Sequence, residues 1–334
     1  MKDLPLVSVL IPLYNAEKYI AKTLESVLTQ SYENIEIIVL DDGSTDKSLA
    51  IAKDYEMQYE NIKVFSHENS GAQVTRNKLF ELSLGDYIQY LDADDLLHKD
   101  KIKSQIDLLK NEDSKSIAFG QWTTFSKDTL EGTIFRKLSI YKNYTDTIEF
   151  LIDMWSSLEA ISPHAWLIPR ILIKESTGWH LDLIKNQDGE FFARIVSQAK
   201  KAVFCEDSKV FYRIDSQNSI SKNYSQEAAK SLLLSFDWYA NILKNDLYRP
   251  KSKFALAKVY SNFLFDLYPE HSQLYPLIEA RLNTLGFDKP IPIKNYKLLD
   301  LSYKLFGAYN NIKILKAIKK NKYLFKLVKA VGKA

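Results

Sequence analysis

Four short apolar runs in the first hundred residues constrain this chain more than anything else in it. They are Val7 to Ile11, Ile35 to Leu40, Ile62 to Ser66 and Tyr87 to Leu91. The first two are close to continuously apolar, as expected of strands covered on both faces. Between them lie segments of helical spacing. Ile20, Leu24, Val27 and Leu28 mark one over Glu17 to Thr29, a second runs to about Tyr55, and a third covers Ala72 to Leu82. Strands alternating with helices through short loops form βαβ units and a parallel sheet. A helix near Asp100 to Leu109 and a strand near Ser116 to Phe119 extend the series. In this reading Pro12 ends the first strand, and Ser44 or Thr45 caps the second helix.

Ligands of open α/β sheets collect at the carboxyl ends of the strands. The fourth run ends there in Asp92-Ala93-Asp94-Asp95, three carboxylates in four residues. Such crowding is repulsive, and a hard divalent cation with oxygen ligands offsets it. An acid-x-acid pair can hold a metal that in turn holds a diphosphate. The same letters also suit a solvated acidic turn ahead of the next helix. Two rivals fall at the first loop. A dinucleotide dehydrogenase needs a glycine-rich turn after its first strand, and Pro12-Leu13-Tyr14-Asn15-Ala16-Glu17 has no glycine. No GxxxxGK[ST] occurs for a P-loop.

From about 120 to 215 the chain is irregular and aromatic. His164 to Ile168 reads as a buried strand and Ile171 to Ser176 as a short helix. Phe192, Ile195, Val196 and Ala199 mark a helix from Phe191, preceded by Asn186-Gln187-Asp188-Gly189-Glu190. Val203-Phe204 and Val210 to Ile214 read as paired strands. From about Gln226 the pattern turns helical, over Ala228 to Leu243, Phe254 to Leu267 and Leu274 to Leu285, punctuated by prolines.

Composition narrows the class. Hydrophobic residues at 46% and charged residues at 26% describe a globular chain with ample core. Cys205 is the only cysteine, so no intrachain disulfide can form, which fits a reducing, cytoplasmic setting. The amino-terminal apolar stretch is too short for a signal peptide or a membrane span, and no other window reaches the roughly 18 apolar residues of a spanning helix. The net charge of +3 conceals an asymmetry. Residues 312 to 334 carry eight lysines and no acid, which leaves −5 for the remainder. That balance argues against a nucleic-acid binder and for a local basic tail. In the tail, Ile314, Ala317, Ile318, Phe325 and Val328 fall on one helical face, with Lys316, Lys319, Lys320, Lys326 and Lys329 off it. This suits an interfacial helix on an anionic membrane, here the inner face of the plasma membrane. A helix packed on its own domain with a solvated basic side is the other reading.

Five linked motifs carry a family resemblance. They are Val7 to Asn15, Val39 to Asp46, Asn69-Ser70-Gly71 with Arg76-Asn77, Gly85 to Ile88, and Leu91 to Asp95. In order and spacing they resemble family-2 glycosyltransferases over roughly residues 5 to 220. The resemblance implies an α/β GT-A fold, a Rossmann-like, mostly parallel sheet flanked by helices, with the C-terminal helices as an extension. It implies a catalytic domain over 1–222, with 1–120 as its nucleotide-binding half and 121–222 as its acceptor half. A helical region over 223–334 follows. It also implies a nucleotide-sugar donor, a UDP-sugar above all, with Mg²⁺ or Mn²⁺ and inversion at the anomeric carbon. The acceptor expected is a hydroxyl of a saccharide or a lipid-linked molecule, in the synthesis of a surface polysaccharide or glycolipid.

Carried onto this sequence, the resemblance places Pro12, Tyr14 and Glu17 along the nucleoside and Asp41 on the base. Arg76 faces the nucleotide, or is a solvated helix residue. Asp92 touches ribose or metal, and Asp94 binds the metal. Asp188 is the general base, and it also suits the N-cap of the following helix. Gln187 stands where the family usually has Glu. Arg213 is placed on the diphosphate, and Asp215 replaces a histidine common in relatives. His164 reads as a buried, satisfied histidine. A sugar nucleotidyltransferase would need a glycine-rich basic loop after the first strand, which is absent. A non-catalytic sugar binder would not need Asp41, Asp92, Asp94 and Asp188 together.

Overall fold

The computed structural model describes residues 4–126, 129–214, 225–267 and 270–292, with 310, 312–314 and 316–318 of the tail. The polar loop beginning at Asp215 and most of the basic tail lie outside the described residues. The chain divides into two compact units. One comprises Met1–Met154 and Glu159–Asn223, the other Trp155–Leu158 and Tyr224–Ala334.

The first unit opens with the expected alternation: β1 (Val7–Leu13), α1 (Ile20–Leu28), β2 (Ile35–Asp41), α2 (Ser48–Gln58), β3 (Ile62–Ser66), α3 (Ala72–Leu82) and β4 (Tyr87–Tyr90). Then come β5 (Leu96–Leu97), α4 (Lys101–Leu109), β6 (Ser116–Phe125), α5 (Thr147–Ser157), β7 (Trp166–Pro169), α6 (Arg170–Glu175), α7 (Gln187–Gln198) and β8 (Lys201–Arg213). The eight strands form one sheet in the order β3-β2-β1-β4-β7-β6-β8-β5. Strands β1 to β4 pair in parallel, as do β6 and β8, whereas β7 and β5 run antiparallel to their neighbours. The sheet is covered on both faces. Val7, Val9, Ile11, Ile37 and Val39 pack with Ile20, Leu24 and Val27 of α1 and with Ile102, Ile106 and Leu109 of α4. Leu10, Ile38, Leu40 and Ile88, alternate along the strands, are equally buried.

The order of strands forces a curl. From β4 to β5 the sheet steps across four strand spacings, about 19 Å if flat. The six steps from Tyr90 to Leu96 reach only about 20 Å when fully extended. They are not extended, because the Asp95 amide closes a turn onto Asp92 O at 3.1 Å. The sheet must therefore bend towards itself, and the acidic triplet sits where it does so.

Several local expectations change. Pro12 lies inside β1, opposite Leu40. Leu10 O accepts from Leu91 at the end of β4, so Pro12, two residues on, turns its missing N–H to the side where β4 has stopped. Neither Ser44 nor Thr45 caps α2, which begins at Ser48, where Asp46 Oδ1 accepts the amide at 2.9 Å. His164 belongs to a 3₁₀ turn, Pro163–Ala165, ahead of β7. Val203-Phe204 and Val210 to Ile214 do not form paired strands. Val203-Phe204 and residues 210–213 are parts of β8, parallel to β6, whose register jumps from Gly120↔Cys205 to Gln121↔Lys209. The bulge of Glu206, Asp207 and Ser208 breaks the apolar pattern but not the strand. Helix α5 had no clear counterpart in the sequence reading.

In the second unit α8 (Gln226–Ile242), α9 (Pro250–Leu267) and α10 (Tyr275–Thr284) pack together. Ser225 Oγ caps α8 by accepting from Ala228 N at 3.1 Å. Trp155 stacks on Tyr239 with ring centroids 4.4 Å apart. Asp237 of α8 accepts from Arg281 Nε at 2.6 Å and from the Tyr260 hydroxyl at 2.9 Å. In the tail Ile312 is buried, and Lys316 Nζ donates to Asp266 O at 3.3 Å.

A β-carbon on Gly120 would land against the Ser208 carbonyl oxygen across the bulge. Gly120→Ala should therefore cost about 1–3 kcal/mol, as overpacked sites do. The check is a lower calorimetric midpoint for the first unit; an unchanged midpoint would mean the bulge opens freely.

Candidate active site

Two adjacent acids end β2, and the fold separates their tasks. Asp42 holds the next loop: its Oδ1 accepts Ser70 N at 2.7 Å, its Oδ2 accepts Gly71 N at 3.0 Å, and its carbonyl accepts Asn69 Nδ2 at 2.9 Å. Gly71, at φ +90°, then starts α3. Asp41 is only 1% exposed. Its Oδ2 accepts Ser44 N at 3.1 Å, whereas its buried Oδ1 has no hydrogen-bond partner among the described residues. An orphaned buried carboxylate oxygen is costly and suits a donor supplied from outside.

The loop after β1 is bolted to the loop after β2. Asn15, at φ +47°, accepts Thr45 N at 2.8 Å on its Oδ1 and donates its own N–H to Ser44 Oγ at 2.9 Å. Glu17 Oε2 accepts Lys47 N at 3.0 Å, so this carboxylate braces the loop. Tyr14 is 50% exposed beside it, and Pro12 is half-buried at the end of β1.

The acidic triplet is divided likewise. Asp95 is fully buried. Its Oδ1 accepts the Arg213 amide at 2.7 Å, and its Oδ2 lies 3.2 Å from His164 Nδ1. Burial, then the charges of Asp94 and Asp92, push Asp95 well above the usual carboxylate range. Burial likewise pushes His164 down to about 3, so its imidazole is neutral. His164 Nδ1 also lies 3.1 Å from Ser162 Oγ, but its Nε2 has no partner among the described residues, so this histidine is satisfied on one side only. Arg213 is buried between Tyr19 and Phe125, 4.5 and 4.4 Å from the ring centroids, and donates from Nε to Asp94 O at 2.9 Å. Its guanidinium thus fixes the backbone of the triplet.

Arg76, on α3, connects this end of the sheet to α7. Nη2 donates to Asp92 Oδ1 at 2.9 Å and Nη1 to Gln187 Oε1 at 3.3 Å, with Asp188 Oδ1 3.9 Å away. The guanidinium carbon lies 4.6 Å over the Trp179 ring. Burial opposes its charge, but Asp92 and Asp188 outweigh that and hold it ionised. Asp188 is not the N-cap of α7. That position is Asn186, at φ +59°, and Asp188 lies in the first helical turn. Its Oδ1 is shut off from solvent, yet the side chain as a whole keeps 44% of its exposure. Desolvation pushes this carboxyl up to about 6, opposed by Arg76 and reinforced by Asp92.

So Asp92 and Asp188, 96 positions apart in sequence, meet on one guanidinium. The sequence reading missed the residues that hold this together, namely Trp179 and the α3 side chains Gln73 and Asn77. Only Gly178, at φ +73° beside Trp179, could have hinted at a close approach.

The sequence profile of glycosyl transferase family 2 matches residues 8–175, half of the chain. The chain belongs to glycosyl transferase family 2. Among its relatives, glycosyltransferase GlyA of Streptococcus pneumoniae is 27% identical over 255 residues, 72% of this chain and 35% of GlyA. The putative teichuronic acid biosynthesis glycosyltransferase TuaG of Bacillus subtilis is 44% identical over 130 residues, 39% of this chain and 50% of TuaG. The matches thus span between a third and a half of these relatives' length. TarS of S. aureus, solved in complex with UDP-GlcNAc, shares the fold at a TM-score of 0.63 and 19% identity, over 94% of this chain and 91% of the TarS chain. Its GT-A architecture is the one described above.

The donor set of the acidic triplet can be tested against the divalent ion common in the family. Among the described residues no three His, Cys, Asp or Glu side chains cluster to hold an ion. Asp92 and Asp94 are the partly exposed acids of the triplet. Two hard carboxylates suit an ion that completes its shell with water and substrate phosphates, as Mg²⁺ does.

Arg76→Gln removes the one charge that lowers the Asp188 carboxyl. Its midpoint should rise above 6, read by carboxyl-carbon NMR titration. No rise would show that the 3.9 Å contact carries little field.

Proposed function

We propose that this chain moves a sugar from a nucleoside-diphosphate donor, a UDP-sugar, to a hydroxyl of a saccharide or lipid-linked acceptor, with inversion. The observation that carries the reading is the convergence of Asp188 with Asp92 on Arg76. It puts a half-exposed carboxylate beside the strand-end acids. Residues 1–120 act as the nucleotide-binding half, 121–222 as the acceptor half, and 223–334 as a helical region. The bound UDP-GlcNAc of TarS, which shares the fold, supports the donor class. The likeness to TuaG, a putative teichuronic acid biosynthesis glycosyltransferase, supports a surface polysaccharide product.

Asp41 Oδ1 accepts the imide N–H of the uracil, which answers its orphaned state. Pro12 and Tyr14 line the nucleoside, with Glu17 bracing that loop. Arg76 and Arg213 supply positive charge near the diphosphate end, Arg213 mainly by fixing the triplet. Asp92 and Asp94 would hold Mg²⁺ or Mn²⁺, which when bound supplies Lewis-acid neutralisation of the diphosphate. The acceptor oxygen attacks the anomeric carbon opposite the leaving group. Its proton passes to Asp188 as the new bond forms, and the bond from sugar to diphosphate breaks. A carboxyl at about 6 is a stronger base than an ordinary aspartate and is still ionised at neutral pH. The lysine-rich tail, 312–334, offers contact with an anionic membrane surface at the inner face of the plasma membrane. Liposome flotation with and without those residues tests that contact, and equal flotation would remove it.

Release of UDP from a panel of UDP-sugars, with Mn²⁺ and without acceptor, identifies the donor. Silence across the whole panel would sink the reading. With that donor, Asp188→Asn should lower kcat by ~10²- to 10⁴-fold while UDP binding persists. The wild-type kcat should fall as pH drops through about 6, because protonation removes the base. Arg76 and Asp92 act on the Asp188 carboxyl, and the Tyr212 hydroxyl also lies within its field. A flat profile between pH 5 and 8 would count against Asp188.

A further inference from the structure

The segment from Gly178 to Asp188 is held by one face of α3. Gln73, Arg76 and Asn77 stand at positions i, i+3 and i+4 of that helix, hence side by side. Asn77 treats Trp179 as a strand neighbour would. Its Oδ1 accepts Trp179 N at 2.7 Å, and its Nδ2 donates to Trp179 O at 3.0 Å. Gln73 Nε2 donates to Leu183 O. Arg76 reaches Gln187 and Asp188 at the far end. The approach at Asn77 is close, because a β-carbon on Gly178 would come within 2.6 Å of its Oδ1.

The segment has few apolar anchors of its own. Leu181 is 62% and Ile184 47% exposed, whereas Trp179 and Leu183 are buried. Trp179 stacks on Phe191 at 4.0 Å and 6°, and Phe191 stands one turn beyond Asp188 on α7. A shift of Trp179 therefore moves the helical turn that carries Asp188. The amino end of α3 is tied to the end of β2, through Asp42 and the amides of Ser70 and Gly71.

We propose that Asn77 is a positioning residue of the transfer reaction. Through Trp179 it sets the distance and angle of Asp188 relative to the donor end of the sheet, with α3 as the rigid template. The proposal rests on Asp188 being the base. A side chain in the transfer step must be placed to within a fraction of an ångström, and a displacement of about 1 Å costs up to ~10²-fold in rate. Asn77 touches neither donor nor acceptor in this scheme, so its loss should leave nucleotide affinity intact.

The experiment is a double-mutant cycle of Asn77→Ala and Asp188→Asn on the full chain, with the UDP-sugar of highest turnover as donor and UDP as the calorimetric probe. Asn77→Ala is expected to lower kcat about 10- to 100-fold with UDP affinity unchanged, and to add nothing in the Asp188→Asn background. Equal losses in both backgrounds, or UDP affinity falling in step with kcat, would overturn the positioning role while leaving the base in place. A wild-type kcat in Asp188→Asn would instead overturn the base, and the positioning role with it. If Asn77→Ala fails to fold, Gln73→Ala loosens the same segment at Leu183 alone. It should show a smaller loss with the same non-additivity, and additivity there overturns the proposal too.

Discussion

One nearly buried guanidinium organises this candidate site. Arg76 carries a charge that burial would otherwise penalise heavily, and a buried charge is tolerated only where it is paired. Its partners are Asp92 on one arm and the Gln187–Asp188 turn near the other, with the Trp179 ring beneath. The fork of donors is planar and rigid, so it fixes angles as well as charge, and a lysine could not hold both sides. Two acidic segments that would repel each other are thereby joined, and α7 is seated against the end of β4. Asp188 stays poised between opposing influences, desolvation and Asp92 raising it, Arg76 lowering it.

The same economy governs the adjacent acids. Asp42 and Asp95 turn inward and secure backbone, the one at Ser70 and Gly71, the other at Arg213. Asp92 and Asp94 stay partly exposed. Asp41 keeps an oxygen without a partner among the described residues. Chain leaving a strand still points successive side chains in different directions, so neighbouring identical residues meet different surroundings. A run of aspartates is then a set of distinct groups, some architectural and some open to a ligand.

Much of the fold was legible in the sequence because the central strands are covered on both faces and so read as apolar runs. The bounds of β3 and α3 agree with the expectation to the residue. Legibility failed where tertiary context overrode a local signal. Pro12 reads as a breaker, yet its amide faces a side with no strand to pair. Glu206, Asp207 and Ser208 read as a turn, yet they form a bulge within β8. At the site, Asp41, Asp92 and Asp94 were visible as strand-end acids. The work of Asn77, Gln73 and Trp179 was not, because each acts across more than a hundred positions, and no local pattern encodes a partner that far away.

The amino-acid sequence by itself determined the class of sheet, the family resemblance and the identity of the acids. These follow from apolar periodicity and from motifs short enough to be read in one window. Only the tertiary structure decided which carboxylate oxygens are left open, where the sheet curls, and that Asp188 shares a cation with Asp92. Those properties depend on burial and on contacts between distant segments. They arise when hydrophobic closure removes water from Arg76 and obliges every charge near it to find a partner.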